Sequence, residues 1–115
     1  MKHELRKADW RDKFRLYLGF PSRLSALKVA GNSMSPTIKA DEVVLYERHD
    51  IIGIGDIVLA AHPFMQSVKI AKRVTNIDLE GMVTLAGDNP SESTDSRTLG
   101  TIPIKSIQGR IVCKL

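Results

Sequence analysis

The chain has little of the chemistry that staples or metallates small proteins. A single cysteine, Cys113, leaves no internal disulfide to form, so the fold rests on a packed core and not on oxidised cross-links. The histidines His3, His49 and His62 are scattered, with no second ligand at metal spacing, and neither a metal nor another cofactor is expected. Long apolar runs are missing too. Arg11, Asp12, Lys13 and Arg15 interrupt them well short of the roughly 18 residues of a membrane span, and no signal peptide pattern is present. The expectation is a cytoplasmic, soluble protein, at most peripheral to a membrane. Finally, there is no extended basic face. Residues 1–28 hold eight Lys/Arg against three Asp/Glu, whereas residues 29–115 hold nine against ten. The weakly acidic remainder lacks the basic surface interleaved with aromatics that binds nucleic acid, so no nucleic-acid partner is expected.

What is present suits one small domain. With 115 residues and 43% hydrophobic content, the chain can bury one core but not two. Residues 2–18 carry Trp10, Phe14 and Tyr17/Leu18 at helical spacing, with charges between, and predict a short amphipathic helix. Two readings of it stay open: packing on its own domain, or lying at an anionic membrane interface with its basic side toward head groups. Gly19-Phe20-Pro21-Ser22 breaks the pattern, and from there the apolar period falls near two. The chain therefore divides into a basic amphipathic segment, residues 1–27, and a strand-forming domain, residues 28–115. Strands are expected at Lys28–Ala30, Glu42–Glu47, Asp56–Ala61, Val68–Asn76, Met82–Ala86 and Gly109–Lys114, with turns at Gly53–Asp56, His62-Pro63, Gly87–Pro90 and Thr101–Pro103. Short strands so spaced predict a mainly-β barrel or sandwich.

Three stretches break the regular pattern. In Gly31-Asn32-Ser33-Met34-Ser35-Pro36-Thr37, Gly31 permits a backbone angle that a β-carbon would forbid and Pro36 fixes its own, so Ser33 projects from a turn. A serine is a weak nucleophile and needs a base and an oxyanion donor; without them the same string is a plain loop. The second stretch supplies a base. In Val68–Thr75 one face reads Val68, Ile70, Lys72, Val74, and the other Lys69, Ala71, Arg73, Thr75. A lysine among valine and isoleucine is desolvated, which lowers its pKa from about 10.4 toward the roughly 5–6 of fully buried lysines. The competing reading is Lys72 snorkelling outward at a strand end. The third stretch, Gly87–Arg97, has no apolar side chain beyond Pro90. It is either a solvated turn or an ordered network in which Asp95 and Arg97 pair and a hydroxyl addresses the catalytic groups.

Taken together, these motifs resemble the serine-lysine signal peptidase family from about Val29 to Val112. The resemblance rests on Gly31–Thr37, on Gly55-Asp56-Ile57-Val58, on Lys72-Arg73-Val74, and on Gly87-Asp88 followed by Ser93-Thr94-Asp95-Ser96-Arg97. It implies a signal peptidase/LexA-like all-β catalytic core. It also implies Ser33 as nucleophile, Lys72 as general base, Ser93 as the hydroxyl orienting that lysine, and Asp95 with Arg97 as a supporting pair. Gly31 stands where some members have a serine at the oxyanion hole, which leaves backbone N–H groups, chiefly that of Ser33, as donors. The nearest subgroup resembled is the nickel-type superoxide dismutase maturation proteases, through Asp88-Asn89-Pro90, Ser93–Arg97, Gly100 and Pro103.

The function expected is thus a serine endopeptidase that removes an N-terminal propeptide. Its partner would be a precursor protein bound as an extended strand, with Gly31 and Met34 shaping the turn that carries Ser33. Two rivals are a self-cleaving repressor and a β-barrel that binds a peptide strand without cutting it. The first fits poorly, because the sequence carries no DNA-binding domain and Ala30-Gly31 lies too near Ser33 to be the internal cleavage site.

Overall fold

The computed structural model describes residues 5–11, 24–48, 51–62, 64–65, 69–89, 91 and 101–115. Among these residues seven strands run in chain order: β1 (Leu24–Lys28), β2 (Val43–Glu47), β3 (Ile57–Ala61), β4 (Lys69–Ile77), β5 (Met82–Ala86), β6 (Ile102–Pro103) and β7 (Ile107–Lys114). They form one antiparallel sheet in the order β1-β2-β7-β3-β4-β5-β6. Register shifts at Leu45/Tyr46, Leu59/Ala60 and Val74/Asn76 act as bulges, which add local bend and twist and curl the sheet into a half-barrel. The mainly-β expectation is met.

Burial follows composition. β3 is a continuous apolar run, Ile57-Val58-Leu59-Ala60, and all four residues are buried, because this strand is covered on both faces. Its alternate residues feed separate clusters. Ile57 joins Val29, Met34, Ile38, Val44 and Ile111, whereas Val58 and Ala60 join Val74, Val83, Leu85 and Ile102. β7 crosses β2 at unusually close range. A β-carbon on Gly109 would lie 2.8 Å from the Tyr46 ring and 2.9 Å from the Glu47 carbonyl oxygen, so only glycine fits there.

Three sequence expectations change. The first strand lies at Leu24–Lys28, not Lys28–Ala30, and pairs residue for residue with β2. Ile102-Pro103, read as a turn, forms a two-residue strand against Met82-Val83. The helix expected over residues 2–18 does not hold at residues 5–9. There Lys7 bridges Lys114 in parallel, Lys114 N donates to Arg6 O at 2.8 Å, and Ala8 N donates to Lys114 O. The cause is tertiary. β3 pairs with β7 only through Ile107, Gly109 and Arg110, and residues 6–8 take up the edge beyond. Trp10 and Arg11 are helical; the remainder of the expected helix lies outside the described residues.

Candidate active site

The turn bearing Ser33 is held by the core beneath it. Gly31 takes φ +76°, the left-handed region that the sequence reading reserved for it. Met34 and Ile38 then drive into the cluster of Val29, Val44, Ile57 and Ile111, at 1% and 0% exposure. Burying a side chain of that size contributes about 1.5–3 kcal/mol, so the turn is anchored at two points, one on either side of Ser35-Pro36. Backbone bonds close it locally, Ser35 N to Asn32 O at 3.0 Å and Ile38 N to Met34 O at 3.0 Å. A second set ties it to the segment after β5: Asn89 N donates to Ser33 O at 2.9 Å, and Asn89 Nδ2 to Asn32 O at 3.1 Å.

Lys72 is buried at 4% exposure on β4, on the same face as Ile70 and Val74. The snorkelling alternative is thereby excluded. β5 pairs only with Arg73 and the residues that follow it, so Lys69–Lys72 pair with β3 on one side and with no described strand on the other. A cleft of about 160 Å³ lies there, lined by residues 27–30, residues 69–72, Leu59 and Ser33. Ser33 and Lys72, 39 positions apart in the chain, thus face one cleft.

The neighbouring residue behaves differently. Arg73 lay on the face that the alternation marked as polar, yet it is only 8% exposed. Its Nε and Nη2 donate to the two carboxylate oxygens of Asp88 at 2.9 and 2.8 Å, and its Nη1 donates to Gly55 O at 2.7 Å. Thr37 Oγ1 donates to Asp88 Oδ2 at 2.6 Å. One carboxylate, 6% exposed, therefore joins the Ser33 turn to the strand that carries Lys72. Gly55-Asp56 completes the frame. Gly55 N donates to Val74 O and Val74 N to Asp56 O, each at 2.8 Å, while Asp56 Oδ2 accepts from Gly53 N at 2.7 Å. The sequence reading paired Asp95 with Arg97 and did not identify Thr37, Arg73 and Asp88 as a unit. All three stand inside the motifs named above, but nothing in those motifs marks them as partners. Ser93, Asp95 and Arg97 lie outside the described residues.

Among the described residues no three His, Cys, Asp or Glu side chains gather into a ligand set. His62 does not line the cleft; its Nδ1 accepts from Phe64 N and Met65 N, each at 3.1 Å, in the connection after β3.

Residues 5–112 match the Peptidase S24-like family, and the chain belongs to that family. It is 36% identical over 109 residues to mitochondrial inner membrane protease subunit 1 of Xenopus tropicalis, covering 75% of this chain and 65% of that protein. The human protein of the same name is 37% identical over 110 residues, covering 75% and 66%. Mitochondrial ATP-independent inner membrane protease subunit 1a of Arabidopsis thaliana is 29% identical over 118 residues, covering 80% and 70%. The chain spans just under two thirds of the length of the Xenopus and human relatives.

These names correct the cytoplasmic, soluble expectation, because the relatives are inner membrane proteases. The reasoning behind that expectation concerned apolar spans alone, whereas a protein can be held at a membrane by surface groups or by a partner. Among the described residues no helix is long and apolar enough to cross a membrane.

Proposed function

We propose that this chain is a serine endopeptidase of the signal peptidase-like type, working through Ser33 and Lys72 at a membrane surface. The observation that carries the reading is the shared cleft, which a core-anchored turn lines with Ser33 and β4 lines with a lysine of 4% exposure. Burial disfavours an ammonium ion, so Lys72 is poised to work as a neutral amine. In the first step Lys72 Nζ takes the proton of Ser33 Oγ as the oxygen attacks the scissile carbonyl carbon. The carbonyl π electrons move onto oxygen, where backbone N–H groups, chiefly that of Ser33, hold the oxyanion. Collapse expels the amine, which receives the proton from Lys72 and leaves an ester on Ser33. Water, deprotonated by the same lysine, then hydrolyses that ester and restores the serine. By resemblance, Ser93 orients the amine of Lys72, and Asp95 with Arg97 supports the surrounding loop.

The substrate on this reading is a precursor protein lying extended beside β4 at the cleft, where no described strand pairs with Lys69–Lys72 on the side away from β3. The finer assignment, a nickel-type superoxide dismutase precursor, is supported by the motif from Asp88 to Pro103. It also has a chemical rationale: in that enzyme type the freed terminal amine and first residues bind the metal, and a cut one residue away leaves no proper site. The test is intact-mass analysis of candidate precursors incubated with wild type and Ser33→Ala. A product with a mature N-terminus made by wild type alone supports the peptidase. An uncut nickel-type precursor beside a cleaved membrane-protein presequence would reassign the substrate.

A further inference from the structure

Two successive carbonyls of the Ser33 turn are held by one residue, Asn89, which stands 57 positions on from Asn32. Asn89 N donates to Ser33 O at 2.9 Å, and Asn89 Nδ2 donates to Asn32 O at 3.1 Å, where Ser35 N also donates at 3.0 Å. The other end of the same amide is engaged as well, since Asn89 Oδ1 accepts from Ser91 Oγ at 3.0 Å. An amide rotated end for end would set its oxygen against the Asn32 carbonyl, so these partners settle its orientation. Asn89 follows directly on Asp88, whose carboxylate is gripped by Arg73 and Thr37 within 2.9 Å. The clamp on the turn is thus built outward from the buried ion pair.

The consequence lies on the opposite edge of each peptide plane. The peptide bonds on either side of Ser33 are trans, and in a planar trans peptide the N–H points opposite to the C=O. Holding Asn32 O toward Asn89 therefore points Ser33 N–H away from Asn89, and holding Ser33 O does the same for Met34 N–H. Ser33 lines the cleft, whereas Asn89 is not among the residues that do. We propose that Asn89 is a positioning residue for acyl transfer: by fixing the plane of the Asn32–Ser33 peptide, it aims Ser33 N–H at the oxygen of the carbonyl that Ser33 attacks. A donor already aimed needs no reorganisation as charge develops on that oxygen, which is what makes an oxyanion donor effective. The assignment rests on the peptidase reading of Ser33 and adds to it the group that orients the oxyanion donor.

The test compares p-nitrophenyl acetate with its thiono analogue, in which sulfur replaces the carbonyl oxygen. With either ester, Ser33 Oγ bonds to the acyl carbon, the bond to p-nitrophenolate breaks, and the serine proton leaves through Lys72. Sulfur is the weaker hydrogen-bond acceptor, so the oxygen-to-sulfur ratio of acylation rates reports the oxyanion donor, and it does not depend on how much of a variant is folded. Asn89→Asp sets an oxygen in place of Nδ2 against Asn32 O, and Asn89→Ala removes the amide. Both should slow acylation by the oxygen ester roughly 10–100-fold and acylation by the thiono ester by no more than about threefold, so that the ratio collapses. The rise of the rate with pH should keep its midpoint, because Lys72 is untouched. Where wild type carries the adduct on Ser33, variants that slow both esters alike, slow neither, or shift that midpoint would overturn the assignment and leave the peptidase reading standing. A wild type with no Ser33 adduct from either ester would remove the peptidase reading and this assignment with it.

Discussion

Lys72 and Arg73 are adjacent, cationic and buried to nearly the same degree, yet β4 treats them as opposites. Arg73 points into a closed set of acceptors, with both carboxylate oxygens of Asp88 and the carbonyl of Gly55 within 2.9 Å. Lys72 points with Ile70 and Val74 and borders the cleft that also holds Ser33. Guanidinium stays protonated and suits a bidentate carboxylate, whereas an amine changes its protonation readily when desolvated. Strand alternation alone places one group on each face, so a single dipeptide sets a structural ion pair on one side and, on the proposed reading, the reacting amine on the other.

The largest expected effects break the Lys72 side of this comparison. Ser33→Ala should lower kcat by about 10⁴-fold or more, as loss of a nucleophile does in other serine peptidases. Lys72→Arg should be as inactive, because a guanidinium cannot accept the proton. Neither should unfold the protein, and Lys72→Met, which conserves volume, should cost under about 1.5 kcal/mol. Steady-state kinetics beside thermal melts would check all three.

On the Arg73 side the effect moves from activity to stability. Removing one member of a buried pair strands the other, at a cost of about 3–5 kcal/mol. Arg73→Ala and Asp88→Ala should therefore each lower the melting temperature strongly, and Thr37→Val should do so less. Melts of either alanine variant that match wild type would show that the frame around the Ser33 turn is held elsewhere.

Much of this contrast was legible in the sequence, but unevenly. The strands from Val43 to Ala86 and the last strand were readable because their apolar residues alternate or run continuously between Gly, Pro and Asp signals. β1 was not, since Leu24-Ser25-Ala26-Leu27-Lys28 alternates weakly and gains its identity from pairing with β2. The amphipathic spacing of Trp10, Phe14 and Tyr17 says nothing about Lys7, whose backbone is claimed by Lys114. Lys72 stood out as a charge on an apolar face. Arg73 did not, because it sat among Lys69 and Thr75, and nothing local reveals that Asp88, 15 residues on, covers it. Long-range partners of this kind are set by the curl of the sheet.

A third prediction concerns proton chemistry. If Lys72 is the base, kcat/KM should rise with pH as the free enzyme's lysine gives up its proton. His62→Gln should leave that limb unchanged, since the imidazole caps a turn outside the cleft. Loss of the limb in that variant would put a histidine in the reaction.

The smallest effect lies at Glu42, on the far flank of the turn. Lys39 N donates to its Oε1 at 2.6 Å, and the Lys114 ammonium stands 3.6 Å away. The carboxyl is held below its ordinary 4.5, chiefly by the backbone bond; desolvation opposes that next, and the Lys114 charge adds a smaller lowering. A depressed carboxyl stabilises the fold above its unfolded value, and that contribution is lost as pH falls below about 4.5 through the folded value. At this half-exposed site it amounts to about 0.5 kcal/mol or less. Melts of Glu42→Gln should therefore fall slightly below wild type at neutral pH and converge with it in acid.

The central claim is that Ser33 is a nucleophile made reactive by Lys72. It is tested most directly by exposing the protein to a serine-directed acylating probe and mapping the adduct by peptide mass spectrometry. Wild type should carry the adduct on Ser33, while Lys72→Arg, with an unchanged melting temperature, should remain unmodified. Modification of Lys72→Arg at the wild-type rate, or an adduct on any other serine, would contradict it.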